Sequence, residues 1–258
     1  MKVICIIPAR YQSQRFPGKP LALIGKHPMI EWVYQRARQT KAISAVIVAT
    51  DDQRIYEAVE AFGGQAVMTP VDLASGSDRV AYVAREYKAD VIINLQGDEP
   101  LITSEVLESV CAVFNRENVM MATPVKKITQ SRELTDPNLV RVVIDRDHNA
   151  LYFTRSIIPY LRDFQDQISW INHFSFFKHI GLYAYQRSFL LELSQWPCGY
   201  LEKAERLEQL RVLENGYKIK TVETDYNALS VDTPDDLVYI NHYIQEHNIT
   251  MDRYNEEV

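Results

Sequence analysis

Short apolar runs alternate with amphipathic stretches through the first half of the chain. Residues 3–8, 45–50, 91–95 and 120–125 are largely apolar, whereas 29–38, 55–62 and 106–114 between them repeat at the helical period. That alternation predicts βαβ units, and so an α/β fold with a mostly parallel twisted sheet and helices on both faces. In such sheets ligands gather beyond the carboxyl ends of the strands. The loops after Pro8, Thr50 and Leu95 are therefore expected along one edge. From about residue 136 to 215 the pattern turns irregular, with strand-like 140–144, 150–153 and 180–185, an aromatic-rich stretch 164–177 and a charged helix 201–215. This reads as a subdomain, 136–215, inserted into a core of 1–135 and 216–250, all within a single domain spanning 1–250. The chain returns through a strand near 218–223 to Thr233-Pro234-Asp235-Asp236. There Thr as N-cap, Pro at N1 and Asp at N3 predict a helix running to about His247. The tail beyond Thr250 reads as frayed.

Composition narrows the function. The 258 residues carry a net charge of −6, which argues against a nucleic-acid binder. Residues 1–41 nevertheless hold eight cations against the single anion Glu31, a local balance of +7 that leaves −13 for the rest. An anionic ligand is expected at the N-terminal segment. The six-residue apolar run at the start is too short for a signal sequence, and no stretch suggests membrane insertion. Cys5, Cys111 and Cys198 lack metal-ligand spacing and sit among apolar or aromatic neighbours, as reduced thiols acting as small hydrophobes. The cytoplasm is the compartment expected.

Directly after the first apolar run, residues 8–20 read PARYQSQRFPGKP, with three cations and a hydroxyl in one loop. A polyphosphate needs such a cradle. It is not a Walker A loop, because proline follows Gly18-Lys19 and no glycine stands five residues before Gly18. Taken with Leu21, the segment PARYQSQRFPGKPL resembles the signature loop of sugar-activating nucleotidyltransferases, specifically the CMP-Kdo synthetases, the 3-deoxy-manno-octulosonate cytidylyltransferases. Further matches follow in the family's order: VATD at 48–51, ASGSDR at 74–79, NLQGDEP at 94–100, ALYFTR at 150–155, HIGLYAY at 179–185, LEQLR at 207–211 and VDTPDDL at 231–237. The family's SGTER is SGSDR here, and residues 163–178 do not align with its pattern.

The resemblance implies a reaction and a site. The anomeric hydroxyl of a keto-sugar acid would attack the α-phosphorus of CTP, with negative charge growing on phosphate oxygens and pyrophosphate. Arg10, Arg15 and Lys19 would grip the phosphates, helped by the Ser13 hydroxyl. Asp98, exposed after an apolar strand, is the first metal ligand implied, and Asp232 the second. Mg²⁺ suits one or two carboxylates completed by phosphate and water. Ser75, Gly76, Arg79 and Gln96 would read cytosine, and Arg155, His179, Tyr183, Tyr185, Glu208 and Gln209 the sugar acid. Taken singly, His179 is as expected of a satisfied core histidine, Glu208 of a solvated helix face and Tyr183 with Tyr185 of strand packing. The partners implied are CTP, a Kdo-type sugar acid and a second copy of the chain in a homodimer. Kdo, 8-amino-Kdo and sialic acid stay open as acceptors, and a noncatalytic nucleotide-sugar binding module is the reading from another class.

Overall fold

The computed structural model describes residues 1–13, 15–115 and 119–251. Residues 252–258, most of the tail read as frayed, lie outside that range. Contacts group the chain into two units, Met1–Cys111 with Ala228–Val258, and Ala112–Asn227.

In chain order the first unit comprises β1 (Val3–Ala9), a small hairpin of β2 (Leu23–Ile24) and β3 (His27–Pro28), α1 (Met29–Gln39), β4 (Ile43–Thr50), α2 (Gln53–Ala61), β5 (Ala66–Met68), α3 (Gly76–Ala84), β6 (Val91–Leu95) and α4 (Ser104–Ala112). Strands β5, β4, β1 and β6 lie side by side in that order, every pairing parallel. The residues of β1 and β6 are buried almost without a break, the continuous apolar run that a parallel sheet covered on both faces demands. Ala9 pairs with Thr50, so the loops after β1 and β4 leave the same edge, as expected. Burial pushes the Cys5 and Cys111 thiols up, consistent with their role as core hydrophobes, whereas Cys198 is exposed.

The second unit comprises β7 (Met121–Lys127), α5 (Ser131–Thr135), β8 (Arg141–Ile144), β9 (Ala150–Thr154), β10 (Phe177–His179), β11 (Leu182–Gln186), α6 (Arg187–Leu193), α7 (Tyr200–Glu205), α8 (Leu210–Glu214) and β12 (Ile219–Glu223). Here β7 pairs parallel with β12 and antiparallel with β10 and β11, and β8 pairs antiparallel with both β9 and β10. These pairings draw β7 and β12 into this unit. The aromatic stretch supplies a satellite core, in which Trp170 and Phe176 are buried with Ile128 and Leu134. The Trp170 indole donates to the Phe164 carbonyl at 2.8 Å.

The helix expected over 201–215 is instead two, α7 and α8. Arg206 ends α7 in the left-handed region at φ 54°. Glu202 then takes two hydrogen bonds from Arg211, at 2.7 and 2.6 Å. In one unbroken helix those residues would stand about 13.5 Å apart along the axis, out of reach. Glu214 returns to accept from the Tyr200 and Leu201 amides at 2.9 and 3.0 Å, capping the start of α7. The chain ends through α9 (Pro234–Glu246) in the first unit, with Thr233 as N-cap, Pro at N1 and Asp236 closing the capping box as expected.

Arg141 is the main polar support of the second unit's sheet. It is 1% exposed and donates to the carbonyls of Leu139, Arg155, Glu133, Leu134 and Asp136 at 2.6–2.9 Å. Removing the guanidinium strands several buried carbonyls at once. Arg141→Met should destabilise the protein by roughly 3 kcal/mol or more. Urea unfolding at fixed slope measures it, and a loss below about 1 kcal/mol would show that these contacts are replaceable by water.

Candidate active site

The loop after β1 is shaped by hydrogen bonds to its own backbone. Gly18 N–H and Ser13 N–H both donate to the Tyr11 carbonyl, at 2.8 and 3.1 Å, and Ser13 Oγ accepts from the Phe16 amide at 3.4 Å. Gly18 sits at φ 74°, and a Cβ there would lie 3.1 Å from the Tyr11 ring. Both the left-handed turn and that close approach call for glycine. The turn delivers Lys19 and Pro20 to an open cleft of about 210 Å³, lined among others by Arg10, Gln12, Ser13, Gly76, Gln96 and Asp98.

Two carboxylates meet one ammonium in this unit. Lys19 Nζ lies 2.7 Å from Asp98 Oδ2 and 3.2 Å from Asp232 Oδ1, so those oxygens stand within 5.9 Å of each other, the sum of the two distances. Arg15 adds a second cation to Asp232 at 3.0 Å, with its side chain 66% exposed. Burial pushes the Lys19 ammonium down, but Asp98 and then Asp232 outweigh it and leave the group above its ordinary value. Asp98 stands just beyond β6. Asp232 is brought there by the Val231 amide, which donates to the Asp98 carbonyl at 3.0 Å, and by Asp236, whose carboxylate accepts from the Asp232 and Thr233 amides. Behind it Val231, Ile240 and Ile244 of the α9 segment pack with Ile24, Met29, Trp32 and Leu101.

The residues assigned to the base divide by role. Gly76 and Gln96 line the cleft. Ser75 caps α3, its hydroxyl accepting from the Asp78 amide at 3.1 Å and donating to the Asp78 carboxylate at 3.0 Å. Arg79 is fully buried, bonded to Thr69 Oγ1 and paired with Asp51 at 2.6 Å. Burial holds its guanidinium below the ordinary range, with Asp51 offsetting part of that and Arg10 adding to it. Arg10 donates to the Leu73 carbonyl and, at 3.4 Å, to that of Ser75, clamping the loop that precedes α3.

In the second unit His179, Tyr183 and Tyr185 form a run of rings, with centroids 5.2 and 6.1 Å apart, and Phe153 meets His179 edge-on at 5.2 Å. Burial pushes His179 down to about 3, so its ring is neutral at pH 7. Burial, then Tyr185 and Glu208, push the Tyr183 hydroxyl well above the usual phenol range. Glu208 and Gln209 occupy the turn between α7 and α8. Gln209 is 4% exposed, and its buried Nε2 has no hydrogen-bond partner among the described residues. Arg155, exposed beyond β9, donates to the Glu205 carbonyl at 2.5 Å, while the Glu205 carboxylate accepts from Thr154 Oγ1 at 2.5 Å and from the Arg155 amide at 3.3 Å.

Comparison with known proteins decides the family. A cytidylyltransferase family model matches residues 4–219. The chain belongs to the cytidylyltransferase family. It is 48% identical to the 3-deoxy-manno-octulosonate cytidylyltransferase of Solibacter usitatus over 92% of each chain. It is also 48% identical to the 8-amino-3,8-dideoxy-manno-octulosonate cytidylyltransferase of Shewanella woodyi, over 92% of this chain and 96% of that one. The solved structure of a CMP:2-keto-3-deoxy-manno-octonic acid synthetase complexed with CTP superposes with a TM-score of 0.90 at 41% identity, covering 96% of this chain and all of the other.

The first unit of this cytidylyltransferase thus brings Arg15, Lys19, Asp98 and Asp232 into contact and sets Arg10, Ser13, Gly76 and Gln96 along the cleft that Lys19 and Asp98 also line. Ser75 and Arg79 are engaged within the fold. In the second unit His179, Tyr183 and Tyr185 cluster, and Arg155 is held by Glu205. Sequence reasoning missed the supporting residues: Asp51, Gln12, Thr123, Glu205 and Asn94, whose side-chain carbonyl accepts from Gln96 at 3.2 Å. Asp51, Gln12 and Asn94 lie inside segments already singled out. Among the described residues no three His, Cys, Asp or Glu side chains form a metal site, and no helix is long and apolar enough to cross a membrane.

Proposed function

We propose that this cytidylyltransferase transfers CMP from CTP to 3-deoxy-D-manno-octulosonate, yielding CMP-Kdo and pyrophosphate for lipopolysaccharide biosynthesis in the cytoplasm. The convergence of Asp98 and Asp232 on Lys19, beside the cleft of the phosphate loop, carries the reading. Its acceptor rests on the 48% identical relative that bears that name. The equally similar relative named for the 8-amino sugar makes that compound the second acceptor to assay.

Lys19 and Arg15 turn from the carboxylates to the β- and γ-phosphates as CTP enters, and Arg10, clamping residues 73–75, holds the cleft wall. The donor set fits Mg²⁺, which takes one or two carboxylates and completes its shell with phosphate and water. Asp98 and Asp232 would hold it, and its charge would neutralise the triphosphate during attack at the α-phosphorus. The anomeric oxygen forms the new bond to phosphorus, the bond to the pyrophosphate oxygen breaks, and the hydroxyl proton passes to water. Gln96 and Gly76 offer polar groups to the cytosine edge. Arg155 supplies a fork of donors for the acid's carboxylate, and Glu208, Gln209 and His179 meet its hydroxyls. A homodimer completes the reading, supported by the exposure of Phe164, Ile168 and Phe174 on the aromatic segment.

Asp98→Asn and Asp232→Asn should each abolish most turnover and its dependence on Mg²⁺ while thermal melts show an intact fold. A folded Asp98→Asn protein with near-normal turnover would remove the metal assignment. Arg155→Ala should lower kcat/KM for the sugar acid by roughly 30-fold or more and leave CTP binding by calorimetry nearly unchanged. Unaltered sugar kinetics in that variant would show that the carboxylate binds elsewhere. Sedimentation at micromolar concentration should give the mass of two chains, and an active monomer would contradict the dimer.

A further inference from the structure

His179 is wired on one side only. Its Nε2 lies 2.9 Å from Thr123 Oγ1, and that hydroxyl lies 2.7 Å from the Leu182 carbonyl and 3.4 Å from that of Ile180. A carbonyl accepts and never donates, so the single threonine proton points at Leu182. The threonine oxygen is left as acceptor, and Nε2 must carry the proton that fills it. Thr123 is wholly buried on β7, out of reach of bulk solvent. Nδ1 then bears only a lone pair, and among the described residues the one hydrogen bond of the His179 ring is that at Nε2. Phe153 edge-on and the tilted Tyr183 ring hold the imidazole plane.

We infer that Thr123 is a positioning residue that locks His179 in the Nε2–H tautomer, so that His179 offers the acceptor sugar a bare Nδ1, which takes a hydrogen bond from a sugar hydroxyl and does not bind its carboxylate. The inference rests on the reading of the second unit as the acceptor site. It assigns the carboxylate to other donors, with Arg155 foremost. It also makes His179 a reader of hydroxyls by polarity, since a group with no hydrogen to give finds no partner at Nδ1.

The full-length protein with ¹⁵N-labelled histidine tests the lock directly. Long-range nitrogen–proton correlation separates a protonated from a bare ring nitrogen, and the His179→Gln spectrum assigns the signal among the six histidines. The expected wild-type pattern at pH 7 is Nε2 protonated and Nδ1 bare. Thr123→Val, which keeps the shape and loses the hydroxyl, should give a mixed or reversed pattern and raise the KM for Kdo by roughly 3- to 10-fold, with KM for CTP unchanged. Thr123→Ser should restore both. A wild-type spectrum with the proton on Nδ1 or on both nitrogens overturns the inference. So does a folded Thr123→Val protein that keeps the single tautomer and the wild-type KM. Should Thr123→Val not fold, the wild-type spectrum and the Thr123→Ser kinetics decide. The two readings fail separately, because the spectrum needs no substrate, whereas absence of turnover with both Kdo and 8-amino-Kdo would remove the acceptor assignment and leave the tautomer standing.

Discussion

The carboxylates of Asp98 and Asp232 repel each other, and one ammonium offsets that repulsion. Lys19 supplies it, within 3.2 Å of both. The pairing spans 79 residues to Asp98 and 213 to Asp232, so no local element can supply it. It requires β1 to end where it does, Gly18 to turn the loop through the left-handed region, and α9 to return against α1 so that Val231 can hydrogen-bond beside Asp98. On the proposed reading the same ammonium is needed by the triphosphate. It cannot serve two carboxylates and a phosphate fully, and a divalent cation held by Asp98 and Asp232 would be the charge that frees it.

Polar groups in the second unit are largely consumed by its own structure. The two Arg141 Nη atoms are spent on five carbonyls, Glu202 and Arg211 on each other, Glu205 on Thr154 and Arg155, and Thr123 on Leu182 and His179, while Arg141 Nε, Glu214 Oε2 and Gln209 Nε2 are buried with no hydrogen-bond partner among the described residues. Against that background the groups left over are informative. Gln209 Nε2 is buried with no hydrogen-bond partner among the described residues, at a cost of about 1–3 kcal/mol that a ligand's oxygen would repay. His179 Nδ1 is a bare acceptor and Gln209 Nε2 a bare donor, the mixed complement that a polyhydroxylated acid presents.

Much of this was legible in the sequence, because the strands of the first unit are continuous apolar runs bounded by loops with distinctive chemistry. Residues 91–95 form the expected strand, and the α9 cap follows its Thr-Pro-Asp-Asp signature residue for residue. The second unit was harder to read. Its helical period across 201–215 is genuine, yet the break at Arg206 depends on an ion pair between Glu202 and Arg211 that only the folded turn creates. Arg79 shows the same limit. A motif places it at the start of a helix, but its burial against Asp51 and Thr69 depends on the loop after β4 and the segment after β5 arriving together.

The surplus of charge in residues 1–41 is gathered only in part at the candidate site. Of its eight cations, Arg36 is 3% exposed and donates to the Thr250 carbonyl at 2.8 Å, so it fastens α1 to the end of the chain. Arg10 clamps the carbonyls of Leu73 and Ser75. Lys2, Lys26, Arg38 and Lys41 are exposed. Among the described residues, only Arg15 and Lys19 of these cations meet carboxylates at the site. What distinguishes those two is their place in the turn beyond the carboxyl end of β1, on the sheet edge that β4 shares and opposite Asp98 beyond β6. For a chain of this class, a cation's position relative to a strand end therefore says more about ligand charge than the net charge of the segment that contains it.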